Sequence, residues 1–467
     1  QVSAKDLETK KYLKDLHVPG MSVGKTGLER KLDEKIIGKI GFQRYEVNAF
    51  GKRVKQIQIN EGQAGESYKT TLDFEVQKYT NELLKDKAAA VCVMDVYNGD
   101  IVSMVSSPTF EPNEFVHGLE KNYWNSLIKN ELRPLTNKTI SGLYPPGSTI
   151  KTLVALSALE NGVIKPLDTF RCKGKIELYG EKFHCWEKDG HGIVNLRKGI
   201  QRSCDVYFYE LARRLGIDPI ERVAKKFGLG RPSIPGAFEE KKGLIPGRDW
   251  KRANLDAAWQ TGETLIAGIG QGYMLVTPIQ LAVMTARLAN GGKAVTPQLL
   301  MKPQNASNTN DDLVSVDANG AENNDIQVDP AHIKLMHKAM TSVVNDPDGT
   351  AFGSRFNLNG VASAGKTGTV QVRRISKDER ESGIIPNEEL DWHLRDHALF
   401  VGFAPVKNPK YSVAVVVEHG GSGSKVAAPI AQKLLKMALE RDREPLKIKT
   451  ASAAKFNKTK KNTAGTA

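Results

Sequence analysis

Apolar residues follow two patterns along this chain, one typical of helices and the other of strands. Residues 71–85 place an apolar side chain every three or four positions, which predicts an amphipathic helix. Residues 88–95 form a continuous apolar run, and the pair Asn98-Gly99 that follows is a strong signal for a two-residue hairpin turn. A second strand is therefore predicted at residues 101–105.

The order of strands and helices predicts the fold class. Beyond residue 105 the pattern is mainly helical up to about residue 290, and apolar strands return at 362–372, 397–404 and 411–418. Strands at both ends of a helical middle predict one antiparallel sheet that the chain leaves and re-enters, which is an α+β fold.

Three segments lack these patterns. Residues 1–70 are charged and interrupted by glycines, which predicts a small extended module. Residues 303–324 are rich in Asn, Asp and Ser, and residues 373–389 are charged and contain Gly and Pro. The last two segments are predicted to be loops.

The composition is that of a globular protein with more than one domain. The chain has 467 residues, which suggests two or three domains, and its hydrophobic fraction of 40% is enough for a sizeable core. The net charge of +14 favours anionic partners, but much of the excess lies in residues 447–461 and no nucleic-acid-binding motif accompanies it. Nucleic acid is therefore not expected as a partner. The sequence has no run of 18 apolar residues, so no membrane span is predicted.

The sequence Gly-Lys-Thr-Gly occurs twice, and the first copy resembles a phosphate-binding loop. Such a loop needs a glycine, four further residues and then Gly-Lys-Ser/Thr. Only three residues separate Gly20 from Gly24, and no apolar strand leads into them. A charged helix is predicted at residues 28–39, so this copy is interpreted as a loop before a surface helix.

A second group of motifs points to a reactive serine. Ser148 and Lys151 are three residues apart, before a stretch at 149–159 that is rich in Ala and Leu. If Ser148 begins a helix, Lys151 lies one turn away on the same face, and backbone N–H groups at the helix start favour developing negative charge. A desolvated Lys151 could then take the serine proton. On its own this pair is common by chance, and a surface serine and lysine is the alternative.

Two further motifs argue against a chance occurrence of the Ser148 and Lys151 pair. Ser203-Cys204-Asp205 begins 55 positions after Ser148, and Lys366-Thr367-Gly368 begins 163 positions later still. Ser-x-x-Lys, Ser-Asp-Asn and Lys-Thr-Gly are the motif set of class A β-lactamases and penicillin-binding proteins, in the order found here. Gly368 is expected to leave room for a peptide along the strand edge.

Residues from about 18 to 445 resemble the class B penicillin-binding proteins, and among them the penicillin-binding protein 2 subfamily of the rod-elongation machinery. Besides the three motifs, five stretches carry the resemblance: residues 27–43, 106–116, 144–151, 268–282 and 397–405. The resemblance implies a penicillin-binding serine transpeptidase fold, with a five-stranded antiparallel sheet flanked by helices and a helical subdomain. It also implies a truncated N-terminal pedestal at 1–70, a transpeptidase domain at 71–445 and a basic, disordered tail at 446–467.

The activity implied by the resemblance is peptidoglycan D,D-transpeptidation. Ser148 would attack the penultimate D-alanine carbonyl of a stem pentapeptide, release the last D-alanine and pass the acyl group to an amine of a neighbouring stem. Lys151 would act as general base, and Ser203 would relay protons between Lys151 and Lys366. β-Lactam antibiotics would acylate Ser148.

The resemblance also implies how substrate is held. Thr367 and Thr369 would bind the substrate carboxylate, and the backbone N–H groups of Ser148 and Thr369 would form the oxyanion hole. The second motif ends in Asp205 where most of the wider superfamily has Asn, which supports the narrower subfamily. A carboxylate near Lys151 favours the charged ammonium and works against a general base.

The resemblance extends to location and partners. It implies a protein at the periplasmic face of the inner membrane, whose full-length form has an N-terminal membrane anchor missing from this chain. Expected partners are peptidoglycan stem peptides, β-lactams and, through the N-terminal module, a SEDS-type glycosyltransferase and cell-shape scaffold proteins. No cofactor is expected for catalysis.

Three of the four cysteines are clustered. Cys172, Cys185, His191 and Cys204 follow the pattern C-x12-C-x5-H-x12-C, which is not a familiar zinc-finger spacing. A Cys172–Cys185 disulfide and buried free thiols are the alternatives. Some proteins of the resembled subfamily carry a structural zinc behind the Ser-x-Asp motif, and Cys204 and His191 match its ligands.

The match to this zinc site is looser at the other two cysteines, where His184 and Asp189 are rival ligands. A zinc ion there would hold the Ser203 loop in place.

Other functions remain possible for the same motif set. A non-turnover β-lactam sensor would share the site, and a β-lactamase or D,D-carboxypeptidase would use water in place of an amine. The length and the large N-terminal module argue against a compact β-lactamase. A scaffolding role with secondary catalysis is the fourth alternative.

Overall fold

The central element of the fold is a five-stranded antiparallel sheet with the strand order β4-β3-β11-β10-β9. The coordinates are a computed structural model, and they describe residues 2–10, 13, 21–234, 236–237, 239–301 and 325–443. The strands of this sheet are β3 (Ala89–Asp95), β4 (Ile101–Ser107), β9 (Ala364–Val370), β10 (His397–Ala404) and β11 (Tyr411–Val417). The chain thus leaves the sheet after β4 and re-enters it at β9.

The remaining strands form three two-stranded sheets. They are β1 (Phe42–Val47) with β2 (Arg53–Asn60), β5 (Thr169–Cys172) with β8 (Gly192–Asn195), and β6 (Lys175–Leu178) with β7 (Glu181–His184).

Sixteen α-helices lie in the part of the chain that the structure describes. They are α1 (Ala4–Thr9), α2 (Gly27–Ile36), α3 (Phe74–Leu83), α4 (Glu114–His117), α5 (Lys121–Ile128), α6 (Lys138–Ser141), α7 (Lys151–Glu160), α8 (Leu196–Gln201), α9 (Asp205–Leu215), α10 (Ile217–Lys226), α11 (Arg248–Leu255), α12 (Thr261–Gly268), α13 (Pro278–Ala289), α14 (Pro330–Asn345), α15 (Lys377–Ser382) and α16 (Ala428–Arg443). None of the described helices is long and apolar enough to cross a membrane.

The sheet is the core of the larger domain. All of β11 and all but the first residue of β10 are buried. Because successive side chains of a strand point to opposite faces, both faces of the sheet must be covered. Helix α13 packs against β3, β10 and β11. Helix α16 packs against β10, β11 and helix α3. Helices on both faces of one antiparallel sheet confirm the predicted α+β class.

The first predicted helix and the first two predicted strands are confirmed. Helix α3 begins after Asp73, whose carboxylate accepts hydrogen bonds from the backbone N–H groups of Glu75 and Val76. Strands β3 and β4 pair as an antiparallel hairpin. The predicted two-residue turn at Asn98-Gly99 is wrong, because the N–H of Asp95 bonds to the carbonyl of Asp100 and four residues lie between them.

The longer turn is held by its own side chains. The Asp95 carboxylate accepts from the backbone N–H groups of Tyr97 and Asn98, and the Asn98 side chain accepts from the N–H of Asp100. Such side-chain turns compete with the tight hairpin that Asn-Gly favours.

The segment between the two halves of the sheet is not purely helical. The four short strands β5 to β8 interrupt it, and they carry the loops around the cysteine cluster. The segment 373–389, predicted to be a loop, contains the short helix α15, which the side chain of Ser376 caps. The predicted loop at 303–324 and the predicted tail at 446–467 lie outside the described residues.

The N-terminal part contains the first Gly-Lys-Thr-Gly. It forms a loop before α2, as predicted, and the Gly24 N–H donates to the Asp33 carboxylate at 2.7 Å. The amide that a phosphate would need is thus bonded to the chain itself. Beyond α2, strands β1 and β2 form a hairpin in which every residue of β2 is exposed.

Candidate active site

Ser148 lies where the chain passes from a tight turn into α7. Residues Gly147–Ile150 form a 3₁₀ turn that continues directly into α7 at Lys151, so Ser148 lies in this turn, three residues before the first residue of α7. Gly147 has φ 53° and its N–H donates to the carbonyl of Gly270 at 2.8 Å. A Cβ at Gly147 would meet Val370 at 2.8 Å, so the turn lies directly against β9.

Lys151 is buried beneath Ser148 and bonded to the second motif. Its side chain is 0% exposed, and its ammonium donates to Asp205 Oδ1 at 2.7 Å and to the carbonyl of Ser203 at 2.9 Å. It also lies 3.2 Å from the Ser203 hydroxyl. Asp205 thus supplies the negative charge that pairs with the buried Lys151 ammonium.

Ser203 and Asp205 are positioned by a strained turn. Ser203 has φ 55°, a conformation uncommon for residues with a side chain, and Cys204 caps α9, which begins at Asp205. The second oxygen of Asp205 accepts from the backbone N–H of Trp186 at 3.0 Å. The indole of Trp186 donates to the Ser203 carbonyl at 3.2 Å, so the loop after β7 fixes both residues.

Lys366 lies on β9, at the edge of the central sheet. Its ammonium is buried and donates to the carbonyl of Thr367 at 3.0 Å. Burial, and then the charge of Lys151, hold the pKa of Lys366 well below its ordinary value. Because β9 pairs only with β10 in the described sheet, its other edge is open towards Ser148.

Three hydroxyl-bearing residues line the open edge of β9. The Thr367 hydroxyl is 2.8 Å from that of Thr350, a residue that the sequence motifs did not include. Thr369 is exposed, and its hydroxyl accepts from the N–H of Gly423 at 3.3 Å. Thr350 follows α14 by a few residues, so no local motif near Lys-Thr-Gly could have identified it.

The reason for glycine at position 368 differs from the one predicted. A Cβ there would lie 3.1 Å from Leu399 and 3.1 Å from Thr149, so it would press into the protein rather than into a bound peptide. The carbonyl of Gly368 is in turn packed against the backbone of Gly423. The glycine therefore allows the turn at Ser148 and β9 to approach each other.

A buried polar network behind the serine was missed by sequence reasoning. Glu418, at the end of β11, accepts from the Tyr144 hydroxyl at 2.6 Å and from the Arg133 guanidinium at 3.0 Å. Tyr144 stands four residues before Ser148. Tyr144 and Glu418 are 274 residues apart in the sequence, and no sequence signal connects them.

The cysteine cluster lies behind Ser203. One ligand-type atom from each of Cys172, Cys185, His191 and Cys204 falls within 4.8 Å of every other, and all four residues are buried. All four cysteines of the chain are free, so the alternative of a Cys172–Cys185 disulfide is not found. The rival ligands His184 and Asp189 are outside this group.

A partly accessible serine at the start of a helix, two buried lysines and an open strand edge define the class of serine acyl-transferases. The family model for the penicillin-binding protein transpeptidase domain matches residues 89–436, and the model for the penicillin-binding protein dimerisation domain matches residues 1–70. The chain therefore belongs to the penicillin-binding protein transpeptidase family, whose D,D-transpeptidase domain it carries.

Comparison with individual proteins gives the same family. The chain is 36% identical over 431 residues to the peptidoglycan D,D-transpeptidase MrdA of Salmonella typhimurium, covering 91% of this chain and 67% of that protein. It is 34% identical over 414 residues to MrdA of Escherichia coli K12, covering 88% of this chain and 64% of that protein. The chain thus spans about two thirds of the length of these curated relatives.

Solved structures that resemble this chain belong to the same family. The crystal structure of Pseudomonas aeruginosa PBP2 in complex with WCK 5153 has a TM-score of 0.75 and 36% identity, covering 92% of this chain and 87% of that one. The complex between PBP2 and MreC from Helicobacter pylori has a TM-score of 0.79 and 30% identity, covering 95% of this chain and 76% of that one. The predicted resemblance and the predicted five-stranded fold are both confirmed.

Proposed function

We propose that Ser148 is the nucleophile of a peptidoglycan D,D-transpeptidase and that it forms the acyl-enzyme with stem pentapeptides and with β-lactams. The single observation that supports this most is the packing of the Ser148 turn against β9, at Val370 next to Thr369. This contact brings the serine to the open strand edge along which a peptide can add. In the described residues the Ser148 side chain makes no hydrogen bond, and it is partly accessible.

The two lysines have different roles in this proposal. Lys151 begins charged, since it pairs with Asp205, whereas the lowered pKa of Lys366 favours its neutral form. Lys151 passes a proton through the Ser203 hydroxyl to neutral Lys366 and then, as a neutral amine, takes the proton of Ser148. The Ser148 oxygen bonds to the penultimate D-alanine carbonyl, and the proton returns to the leaving D-alanine amine. An amine of a neighbouring stem releases the acyl group in the second half of the cycle.

Substrate binding uses β9 and its neighbours. Thr367 and Thr369 hold the terminal carboxylate, with the Thr350 hydroxyl fixing the orientation of Thr367. The N–H groups of Ser148 and Thr369 stabilise the negative oxygen of the tetrahedral intermediate, which is worth about 3–4 kcal/mol per donor in serine hydrolases.

The test is reaction with benzylpenicillin followed by kinetics. We expect rapid acylation and slow release, and D-alanine release from stem pentapeptides when an amine acceptor is present. Ser148→Ala should remove both. Rapid hydrolysis of the drug would identify a β-lactamase instead, and acylation with no turnover of any pentapeptide would identify a sensor.

We further propose that the cysteine cluster binds a structural zinc ion. In a tetrahedral site the bond lengths of zinc to sulfur and nitrogen imply edges of about 3.5–3.8 Å. His191 Nδ1 lies 3.8 Å from the Cys172 sulfur and 3.5 Å from the Cys185 sulfur. The donor set therefore fits zinc. The ion would join the start of α9 to the loop that fixes Ser203.

Native mass spectrometry tests the zinc proposal directly. We expect one zinc per chain, lost together with penicillin labelling after strong chelation or in Cys204→Ser. The buried Cys92 lies outside the cluster, so Cys92→Ser is the matched control and should keep the metal. A metal-free protein that labels normally would contradict the proposal.

We propose that the N-terminal module binds cell-shape proteins at the periplasmic face of the inner membrane, where peptidoglycan is assembled. The structure of H. pylori PBP2 is a complex with MreC. Another neighbour belongs to a peptidoglycan synthase complex that coordinates polymerization and crosslinking, with a TM-score of 0.75 and 27% identity. The hairpin of β1 and β2 exposes Val54, Ile57 and Ile59 to solvent, as expected of a partner-binding surface.

Substitution on this hairpin separates binding from catalysis. Ile57→Asp should abolish association with an MreC-type scaffold protein or with a SEDS-type glycosyltransferase, while benzylpenicillin acylation stays normal. If Ser148→Ala still supported rod-shaped growth, the alternative of a scaffold with secondary catalysis would replace the catalytic proposal.

A further inference from the structure

A cleft of about 390 Å³ lies beside the reaction centre, and none of the three motifs contributes to it. It is lined by residues of α12, by Phe183 of β7, and by Trp259 and Tyr273. This volume is in the range of ordinary small-ligand sites.

The cleft is built on the same two segments that hold the catalytic residues. Gln271 at its rim directly follows Gly270, whose carbonyl accepts from the N–H of Gly147, the neighbour of Ser148. Phe183 stands three residues before Trp186, whose N–H donates to Asp205. A ligand in the cleft would therefore lie next to a substrate that reacts at Ser148.

Three aromatic rings, of Phe183, Trp259 and Tyr273, line the cleft, and the last two are held in place. The indole of Trp259 donates to the hydroxyl of Thr264 at 2.8 Å, and its ring centroid is 6.4 Å from that of Tyr273. Trp250 supports the other side of Tyr273 at 5.1 Å. Tyr273 nevertheless keeps 38% of its surface exposed, so a ring is available to a ligand.

The charges in the cleft are already neutralised. Glu263 accepts from the Lys251 ammonium at 2.6 Å and, through its other oxygen, from the Gln260 N–H at 2.7 Å. The Gln260 side chain is also engaged, since it forms a capping box with Glu263 and its amide donates to the carbonyl of Ala258 at 3.4 Å. The side-chain amide of Gln271, which also lines the cleft, is the polar group that faces a ligand without such a bond among the described residues. Flat apolar rings with an available amide and no unpaired charge suit a neutral, N-acetylated sugar better than a charged peptide end.

We propose that this cleft, defined by Phe183, Trp259, Gln260, Gln271 and Tyr273, binds an N-acetylated sugar of the glycan strand that carries the donor stem. The inference rests on the proposed transpeptidase function. The four stem residues between sugar and reacting carbonyl span at most about 14 Å when extended, and the rim at Gln271 lies within that reach of Ser148. The cleft thus selects donor stems that are attached to glycan.

The test compares two soluble donors, a disaccharide-pentapeptide and the same pentapeptide without sugar. We measure kcat/KM for D-alanine release by the purified protein, and benzylpenicillin acylation serves as the control for an intact site. The unaltered protein should prefer the disaccharide donor by roughly tenfold, as expected for one aromatic contact. Trp259→Ala and Tyr273→Ala should remove this preference and leave drug acylation unchanged.

Two further variants make the result specific. Tyr273→Phe keeps the ring and should keep the preference, whereas Trp124→Ala alters a similarly exposed tryptophan, 40% accessible, on the remote helix α5 and should change nothing. Equal rates with both donors in the unaltered protein would overturn the inference but not the transpeptidase function. An equal decrease of kcat/KM for both donors in Trp259→Ala would also overturn the inference. D-Alanine release from neither donor would overturn the proposed function itself.

Discussion

At the scale of single residues, the proposed mechanism depends on the protonation of two buried lysines, Lys151 and Lys366, which interact electrostatically. Asp205 forms an ion pair with Lys151, and burial, followed by the nearby Lys151, lowers the pKa of Lys366. One carboxylate between two amines can compensate only one of them. In the proposed relay, Asp205 is the carboxylate that pairs with Lys151.

The pH dependence of acylation follows from Lys366. Its folded pKa is lowered, so the neutral form exists above that pKa and is lost as the pH falls through it. We expect the rate of benzylpenicillin acylation to fall on acidification. Stopped-flow measurement across a pH series tests this.

Two lysine variants complete the pH test. Lys366→Arg keeps a permanent charge and should lose most of the acylation rate at every pH, whereas the exposed Lys338→Arg should behave as the unaltered protein. An acylation rate in Lys366→Arg that equals that of the unaltered protein would contradict the relay.

A second residue-scale prediction concerns the close approach of Gly423 to β9. A Cβ at Gly423 would overlap the carbonyl oxygens of Gly368 and Leu399. We expect Gly423→Ala to displace the Lys-Thr-Gly strand, reduce drug acylation and lower stability by about 1–3 kcal/mol. At Gly353 nothing lies within 4 Å of an added Cβ, so Gly353→Ala is the matched control. Equal effects of the two substitutions would count against this packing role.

At the scale of elements, the segment that precedes α7 is anchored by the hydrogen-bond network of Tyr144, Glu418 and Arg133. The Tyr144 hydroxyl supplies one of the few partners of a carboxylate that is only 3% exposed. The other oxygen of Glu418 is buried without a hydrogen-bond partner among the described residues. The loss of any remaining partner is therefore costly.

Tyr144→Phe tests this network. We expect the free energy of unfolding to fall by about 1–3 kcal/mol, because the Glu418 carboxylate loses a buried donor. Chemical denaturation measures it, and the acylation rate shows whether the Ser148 turn is disturbed as well. Tyr179→Phe, at a tyrosine that is 87% exposed, is the control and should be neutral. Unchanged stability in Tyr144→Phe would show that Arg133 alone is sufficient.

The elements also show how far the sequence could predict the structure. Long apolar runs such as β10 and β11 were predictable because both faces of the sheet are buried. The strands β5 to β8 have four residues each, too few to establish an alternating pattern. The motif residues were recognisable from their order along the chain. Contacts such as Tyr144 with Glu418 or Thr350 with Thr367 depend on the fold and have no local signature.

At the scale of the whole molecule, a transpeptidase domain with a buried sheet is joined to a module with an exposed hairpin, and the 467-residue sequence is strongly basic. The net charge of +14 and the pI of about 9.3 favour association with anionic polymers. This attraction is long-ranged and is screened by salt, unlike the contacts inside the site.

Ionic strength should therefore distinguish the association with anionic polymer from the reaction at the active site. We expect binding of the chain to purified anionic cell-wall polymer to weaken strongly between about 0.05 and 0.5 M salt, where the screening length falls well below 10 Å. Benzylpenicillin acylation should change little over the same range. Co-sedimentation and fluorescent-penicillin labelling measure the two quantities, and salt-independent sedimentation would contradict a charge-driven association.

The central claim is that the Ser148 hydroxyl forms the acyl-enzyme, and intact-mass spectrometry after benzylpenicillin treatment, with peptide mapping of the adduct, tests it most directly. The account predicts one adduct per chain, on the peptide that contains Ser148, and none in Ser148→Ala. A drug adduct on any other side chain, or an unmodified chain after prolonged treatment, would contradict it.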